Sequence, residues 1–306
     1  MSSPAATVAV PAKLNVGLAV GSRRPDGYHP VDTVFTALSL HDTVTAEPAA
    51  EPGLRLTGQE VGSVPADRTN LAWRAAELLA DRLGRAPAVL LRIDKRIPVA
   101  AGLAGGSADA AGALLACRQL WQPDLPTGEL AVLAARLGSD VNFALVGGTA
   151  RGTGRGELLT ALPAPELHWV LAAADGELST AEVYARFDQL ETATDDPALP
   201  DALLAAVLAG DPARLAGQLR NDLQPAAVAL APYLEQTLAA GLAAGALGGL
   251  VSGSGPTCAF LTRGPEHAGQ VAEALSRSGS CRFAVPVRGG VPGPATAVGS
   301  TTENGG

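Results

Sequence analysis

The chain has 306 residues, which at roughly 150 residues per domain sets an expectation of about two domains. Hydrophobic residues make up 47% and charged residues 17%, which excludes wholesale disorder; with 4% aromatics, the interior must be filled mainly by aliphatic and alanine side chains. The 22 Lys and Arg against 30 Asp and Glu leave a net charge of −8, which argues against a broad grip on nucleic acid or an anionic membrane, so any anionic ligand needs a local site.

Cys117, Cys258 and Cys281 are odd in number and lack C-x-x-C spacing. Neither a disulfide framework nor a zinc site is expected, and a reducing cytoplasm fits best. The opening MSSPAATVAVPAK has no basic segment followed by an apolar run, so no secretory signal is expected. Residues 236–262 carry no charge, but glycines and the SGSGP segment interrupt them, which favours helix and loop over a membrane span.

In chain order, residues 7–20 alternate as a strand. Val8, Val10, Leu14, Val16, Leu18 and Val20 are expected on one face, with Lys13 and Asn15 on the other. Gly27 marks a turn in RRPDGYH, and residues 31–44 resume a strand pattern, giving a β-rich N-terminal layer. Asn70 is placed to cap a helix carrying Leu71, Ala75, Leu78, Leu79 and Leu83 at helical spacing, with Gly84 as its stop. Residues 88–94 read as a strand, 98–107 as a loop and 107–121 as a helix of small residues. Thr127 is expected to cap a further helix that buries Leu130, Leu133, Ala134 and Leu137 and closes at Gly138, just before Asp140. The glycine-rich residues 147–157 and the prolines after them place a domain boundary near 160. The expected division is 1–160, 161–290 and a disordered tail at 291–306, the second half alternating short strands with Ala/Leu helices. No internal repeat is evident.

The order strand, glycine loop, helix around PVAAGLAGGSADAAGAL is that of a phosphate site. Gly102, Gly105 and Gly106 admit close backbone approach, and the helix start offers N–H groups and its positive dipole end. The loop is neither a Walker A sequence nor G-x-G-x-x-G, and a Gly/Ala packing turn is the competing reading. A second cluster, GALGGLVSGSGPTCAF, is either a nest of N–H donors beside the first loop or a tight connection between helix and strand. Lys13 and Asp140 are candidates for charge near the anion site, against the commoner role of solvated surface charge. Tyr28 and His29 are either a ligand-reading pair or incidental turn residues.

These segments resemble the GHMP superfamily, which includes galactokinase, homoserine kinase, mevalonate kinase and phosphomevalonate kinase. Residues 98–114 are similar to its ATP loop and residues 250–260 to its C-terminal glycine motif. PAKLNVGLAVGSRRPDGYHPVDTVF, PVAAGLAGGSADAA, LGSDVNFALVGGTARGTGRGE, NDLQP and SGSGPT occur in order. Together they most resemble the 4-diphosphocytidyl-2-C-methyl-D-erythritol kinase family of the non-mevalonate isoprenoid route.

The resemblance implies an α+β, two-domain GHMP-kinase-like fold. Its N-terminal domain would be like domain 2 of ribosomal protein S5 and its C-terminal domain a ferredoxin-like α/β unit, with the active site in the cleft between them. It implies ATP and Mg²⁺ as cofactors, phosphorylation of the 2-hydroxyl of the cytidyl substrate, Asp140 as general base and Lys13 beside it. Asn15, Tyr28, His29 and Tyr184 would bind the cytidine-bearing substrate. Pro98, Val99, Ala100, Ala101, Gly102, Leu103, Ala104, Gly105, Gly106, Ser107 and Ala108 would wrap the ATP phosphates, with Ser107 near the metal. The expected partner is that small molecule, with no nucleic acid, membrane or protein partner. Ala101, Ala104 and Ala108 depart from the family's glycines and paired serines, and Asn142 stands where a proline is usual. The alternatives are another small-alcohol kinase of the superfamily, which would have no nucleobase for Tyr28 and His29 to read, or an inactive nucleotide-binding relative.

Overall fold

The fold is described by a computed structural model covering residues 4–59, 61–173, 176–190 and 193–300, with only the backbone described for Pro4 and for 295–300. The chain opens with two long strands, β1 (Pro4–Val20) and β2 (Val31–Pro48), then β3 (Gly53–Gly58) and a 3₁₀ turn (Val61–Ser63). Next come α1 (Leu71–Arg82), β4 (Val89–Lys95), α2 (Gly105–Trp121), α3 (Thr127–Leu137), α4 (Ser139–Val146), β5 (Thr149–Thr153) and β6 (Leu158–Ala161). The second half runs β7 (Leu167–Ala173), α5 (Thr180–Gln189), α6 (Asp201–Ala209), α7 (Pro212–Ala216), β8 (Arg220–Asn221), α8 (Gln224–Leu230) and α9 (Tyr233–Ala243). It closes with β9 (Gly248–Val251), β10 (Thr257–Thr262), α10 (Pro265–Ser278), β11 (Phe283–Gly289) and β12 (Ala295–Ser300).

β1 and β2 pair antiparallel along most of their length, and β2 carries β4 at one end and β5 at the other. In the second half, β11, β7, β10 and β9 form an antiparallel sheet that joins β2 where Gly289 stands opposite Leu38. Helix α2 lies on the first sheet because its residues are small. A Cβ on Gly112 would come within 2.6 Å of Val44 and 2.9 Å of Val10. Ala108, Ala110, Ala111, Ala113 and Ala116 are buried beside it, so close approach replaces the bulky packing that aromatics would supply.

Helix α1 forms as the spacing predicts, with the Asn70 side chain accepting from the Ala72 N–H. The expected single face of β1 does not persist. A bulge between Asn15 and Gly17 inserts one residue and inverts the alternation. Val8, Val10, Leu14 and Val16 enter the main core with Ala19, whereas Leu18 and Val20 turn to a second core beneath α5 and α8. Leu18 thereby joins Lys13 and Asn15 in one cavity wall.

Two other expectations are corrected. Helix α2 begins at Gly105, two residues before Ser107, because Ala104 takes a left-handed conformation that starts the helix earlier. Thr127 lies inside α3 rather than capping it; the cap position is Pro126, which makes no side-chain bond. Asp140 follows the Gly138 stop as expected and stands in the first turn of α4, a helix of eight residues, too short to show helical periodicity. Residues 147–157, whose glycines place the expected boundary, contribute β5 and the turn of a hairpin with β6; a Cβ on Gly152 in β5 would lie 2.7 Å from the Phe35 ring.

The disordered tail expected over 291–306 is corrected for residues 295–300. Residues 295–300 pair antiparallel with residues 4–9 of β1 as β12. The backbone donors and acceptors on the outer edge of β1 offer a template for such a strand, and ATAV contains no glycine or proline to prevent it. Residues 301–306 lie outside the described residues. Among the described residues no helix is long and apolar enough to cross a membrane.

Candidate active site

Lys13 and Asp140 come from distant parts of the chain and meet at 3.7 Å, Nζ to Oδ2. Three hydrogen bonds fix the lysine. Its ammonium donates to Asn15 Oδ1 at 2.6 Å, Asn15 Nδ2 donates to Thr33 Oγ1 at 2.8 Å, and the Thr33 hydroxyl donates to the Gly17 carbonyl at 2.7 Å. Asn15, expected to touch substrate, lines the same cavity as Lys13 and orients it through one bond from each amide atom. The Asp140 carboxylate is about a third exposed and occupies the first turn of α4, where the helix dipole favours negative charge.

The glycine loop closes the other side of a cavity of about 460 Å³ that contains this pair. Pro98, Val99, Ala100, Ala101, Gly102, Ala104, Gly105 and Gly106 line it. Leu103 and Ala108 do not: both pack into the core, and the Leu103 carbonyl accepts from the Lys13 backbone N–H at 3.1 Å. Ser107 faces an adjoining compartment instead. The first intrahelical bond of α2 runs from the Ala108 N–H to the Ala104 carbonyl, so the N–H groups of Gly105, Gly106 and Ser107 precede it at the positive end of the helix. Such an end stabilises an anion.

The second glycine segment abuts the first. Ser252 Oγ donates to the Gly102 carbonyl at 3.1 Å, and Asn221 Nδ2 donates to the carbonyls of Val251 and Gly253, each at 2.7 Å. The Ser254 and Thr180 hydroxyls lie 2.9 Å apart, tying the segment to the start of α5. NDLQP is thus the brace of the SGSGPT turn.

The adjoining compartment, about 670 Å³, shares Val31, Asp140, Arg155, Thr180 and Tyr184 with the first. Tyr28 and His29 line it. His29 stacks on Tyr184 with ring centroids 4.8 Å apart, and its Nε2 lies 2.8 Å from Asp188 Oδ1. Tyr28 is half exposed, with the Arg155 guanidinium 4.8 Å over its ring. Burial, with the Asp140 charge nearby, pushes the Tyr184 phenol up to about 12, so it stays neutral at physiological pH.

A buried charge cluster lies under the loop. Lys95 bonds Asp42 and, at 2.6 Å, Asp109. Asp42 also accepts from the backbone N–H groups of Arg96 and Ile97. Burial alone would lower the Lys95 value, but the charges of Asp109 and Asp42 outweigh it and hold the ammonium above its ordinary value. Burial pushes Asp109 up to about 7 against the pull of Lys95, and its Oδ1 has no hydrogen-bond partner. Sequence reasoning passed over Lys95, Asp109, Arg155, Thr180 and Asn221. The legible signal was an aspartate within an otherwise apolar, alanine-rich helix, and a lysine closing a strand that leads into the loop.

The chain matches the model of the GHMP kinases N terminal domain over residues 70–148 and that of GHMP kinases C terminal over residues 203–281. Its fold resembles the crystal structure of 4-(cytidine 5'-diphospho)-2C-methyl-D-erythritol kinase with a TM-score of 0.77 and 36% identity, covering 93% of this chain and 99% of that one. Mevalonate kinase of L. major, solved with R-mevalonate, shares the fold at TM-score 0.74 and 16% identity, covering 94% and 96% of the two chains. The protein is a member of the GHMP kinase family, with its two-domain α+β fold, and that membership implies use of ATP.

Relatives named 4-diphosphocytidyl-2-C-methyl-D-erythritol kinase are 54% identical to it in Mycobacterium tuberculosis, over 97% of this chain and 94% of that protein, and in Nocardia farcinica, over 94% of each. Within the GHMP kinases, the chain belongs to the 4-diphosphocytidyl-2-C-methyl-D-erythritol kinase family.

Proposed function

We propose that the protein transfers the γ-phosphoryl group of ATP to the 2-hydroxyl of 4-diphosphocytidyl-2-C-methyl-D-erythritol, in the non-mevalonate route to isoprenoid precursors. The observation that carries this reading is the Lys13–Asp140 pair at the junction of two compartments, one walled by the glycine loop and one by an aromatic cluster. Phosphoryl transfer requires an in-line nucleophile, neutralised phosphate charge and an acceptor for the departing proton. Asp140 accepts the proton of the attacking hydroxyl; Lys13, held by Asn15 and Thr33, offsets the charge developing on that oxygen. The N–H groups at the start of α2 cradle the terminal phosphates. Tyr28, His29 and Tyr184 supply the apolar and polar surface for a cytosine.

The residues present fit a nucleotide-borne Mg²⁺. Ser107 and Asp140 are oxygen donors in one compartment wall, while no group of three or more His, Cys, Asp or Glu poised to hold a metal occurs among the described residues. That donor set suits an ion held largely by phosphate and water. When bound, it neutralises charge on the β- and γ-phosphates. The reading also includes a cytoplasmic enzyme acting on a small molecule, and a division into domains near residue 160, supported by the link at 162–166 between β6 and β7.

Incubating the protein with ATP, Mg²⁺ and the cytidyl substrate tests the proposal. The expected result is a new phosphomonoester resonance and stoichiometric ADP. Phosphorylation of homoserine or mevalonate in preference would overturn it.

A further inference from the structure

The proposed substrate carries a diphosphate between its cytosine and the hydroxyl to be phosphorylated, so its charge must fall between the aromatic cluster and Asp140. Most charged groups there are committed or of the wrong sign. Lys13 is paired with Asp140 and bonded to Asn15, and Lys95 is locked between Asp42 and Asp109. Asp140 and Asp188 are carboxylates that repel a diphosphate. Among the described residues the substrate compartment has two guanidinium groups in its wall, Arg23 and Arg155.

Of these, Arg23 donates from Nε to the Gly27 carbonyl at 3.3 Å and belongs only to the outer compartment, whereas Arg155 is part of the wall of both. Arg155 sits at the tip of the β5–β6 hairpin. Its guanidinium lies over the Tyr28 ring, and its ion pair to Glu157 is loose, 3.6 Å from Nε, with no hydrogen bond between the side chains. A planar fork of donors at the junction, steadied on one side by a ring and on the other by a carboxylate, suits bidentate recognition of phosphate oxygens.

We propose that Arg155 is a specificity-determining residue that grips the diphosphate of the substrate, while the face of Tyr28 turned away from it remains available to the nucleobase. This inference rests on the kinase reading above. It makes the β5–β6 hairpin part of the substrate site and explains how a chain of net charge −8 selects a dianionic substrate over a neutral nucleoside.

Calorimetric titration with CDP and with cytidine tests it on the intact protein. Arg155→Ala should weaken CDP about tenfold to a hundredfold, the scale of lost charge-assisted hydrogen bonds, while cytidine binding changes little. Arg155→Lys should recover part of the loss, since it restores charge without the fork. Equal losses for CDP and cytidine in Arg155→Ala would mean that Arg155 acts only through the Tyr28 ring and would overturn the proposal while leaving the kinase reading intact. A wild-type protein that binds neither ligand would overturn both.

Discussion

The hydroxyl of Ser252 donates to the carbonyl of Gly102 at 3.1 Å, so two glycine-rich segments 150 residues apart in sequence support each other over the Lys13–Asp140 pair. The contact depends on the missing side chain of Gly102. That residue has φ +74°, and a Cβ there would stand 2.3 Å from the Ser252 carbonyl oxygen and 2.9 Å from that of Gly255. Backbone cannot yield as a flexible side chain can, so the two loops would have to separate.

Gly102→Ala should therefore destabilise the protein by about 2–4 kcal/mol, the sum of a left-handed alanine and an overpacked contact, and should weaken ATP binding as well. Thermal unfolding and nucleotide titration check both effects. An unchanged melting temperature would show that the loops can part at no cost.

Ala104 presents the opposite case. It is an alanine at φ +58° where the chain enters α2, a conformation that costs an L-residue roughly 1–2 kcal/mol. Ala104→Gly should release that strain, partly offset by the entropy glycine adds to the unfolded chain, for a net gain of up to about 1 kcal/mol. Ala104→Val should lose stability at the same site. A melting curve for each variant decides, and a clear loss in Ala104→Gly would contradict the strain argument.

Asp109 gives a pH-dependent prediction. Its folded value, pushed up to about 7 by burial, lies above the unfolded value near 4, so between those limits the folded state holds a proton that the unfolded state has released. Its contribution to stability is full below the unfolded value and declines as pH rises through the folded one. Asp109→Asn cannot titrate. Denaturant unfolding of the two proteins should show the wild type losing ground to the variant between pH 5 and 7, by at most about 1.4 kcal/mol per pH unit. A constant difference across that range would contradict the assignment.

The sequence exposed the parts of the fold that depend on local pattern. Asn70 followed by leucines at helical spacing specified α1, and the glycine loop was visible because a short strand precedes it and a run of small, alanine-rich residues follows it. The bulge after Asn15 was hidden, since it depends on pairing with β2 and on no residue of β1 itself. β5 was hidden for a related reason, its Gly152 reading as a turn residue until Phe35 supplies the surface that a Cβ there could not clear. In the site, Lys13, Asp140, Tyr28 and His29 stand in recognisable motifs. The bracing by Asn15, Thr33 and Asn221 is tertiary, and only the folded chain shows that Asn15 bonds the lysine.

Lys13 and Asp140 lie 3.7 Å apart, and their joint action on the attacking hydroxyl is the central claim. The most direct test is a single-turnover measurement of phosphoryl transfer by Asp140→Asn with saturating ATP and cytidyl substrate. The account predicts a fall of roughly 10²–10⁴ in the transfer rate, the range of general-base catalysis, with ATP affinity little altered. Transfer at the wild-type rate would contradict it.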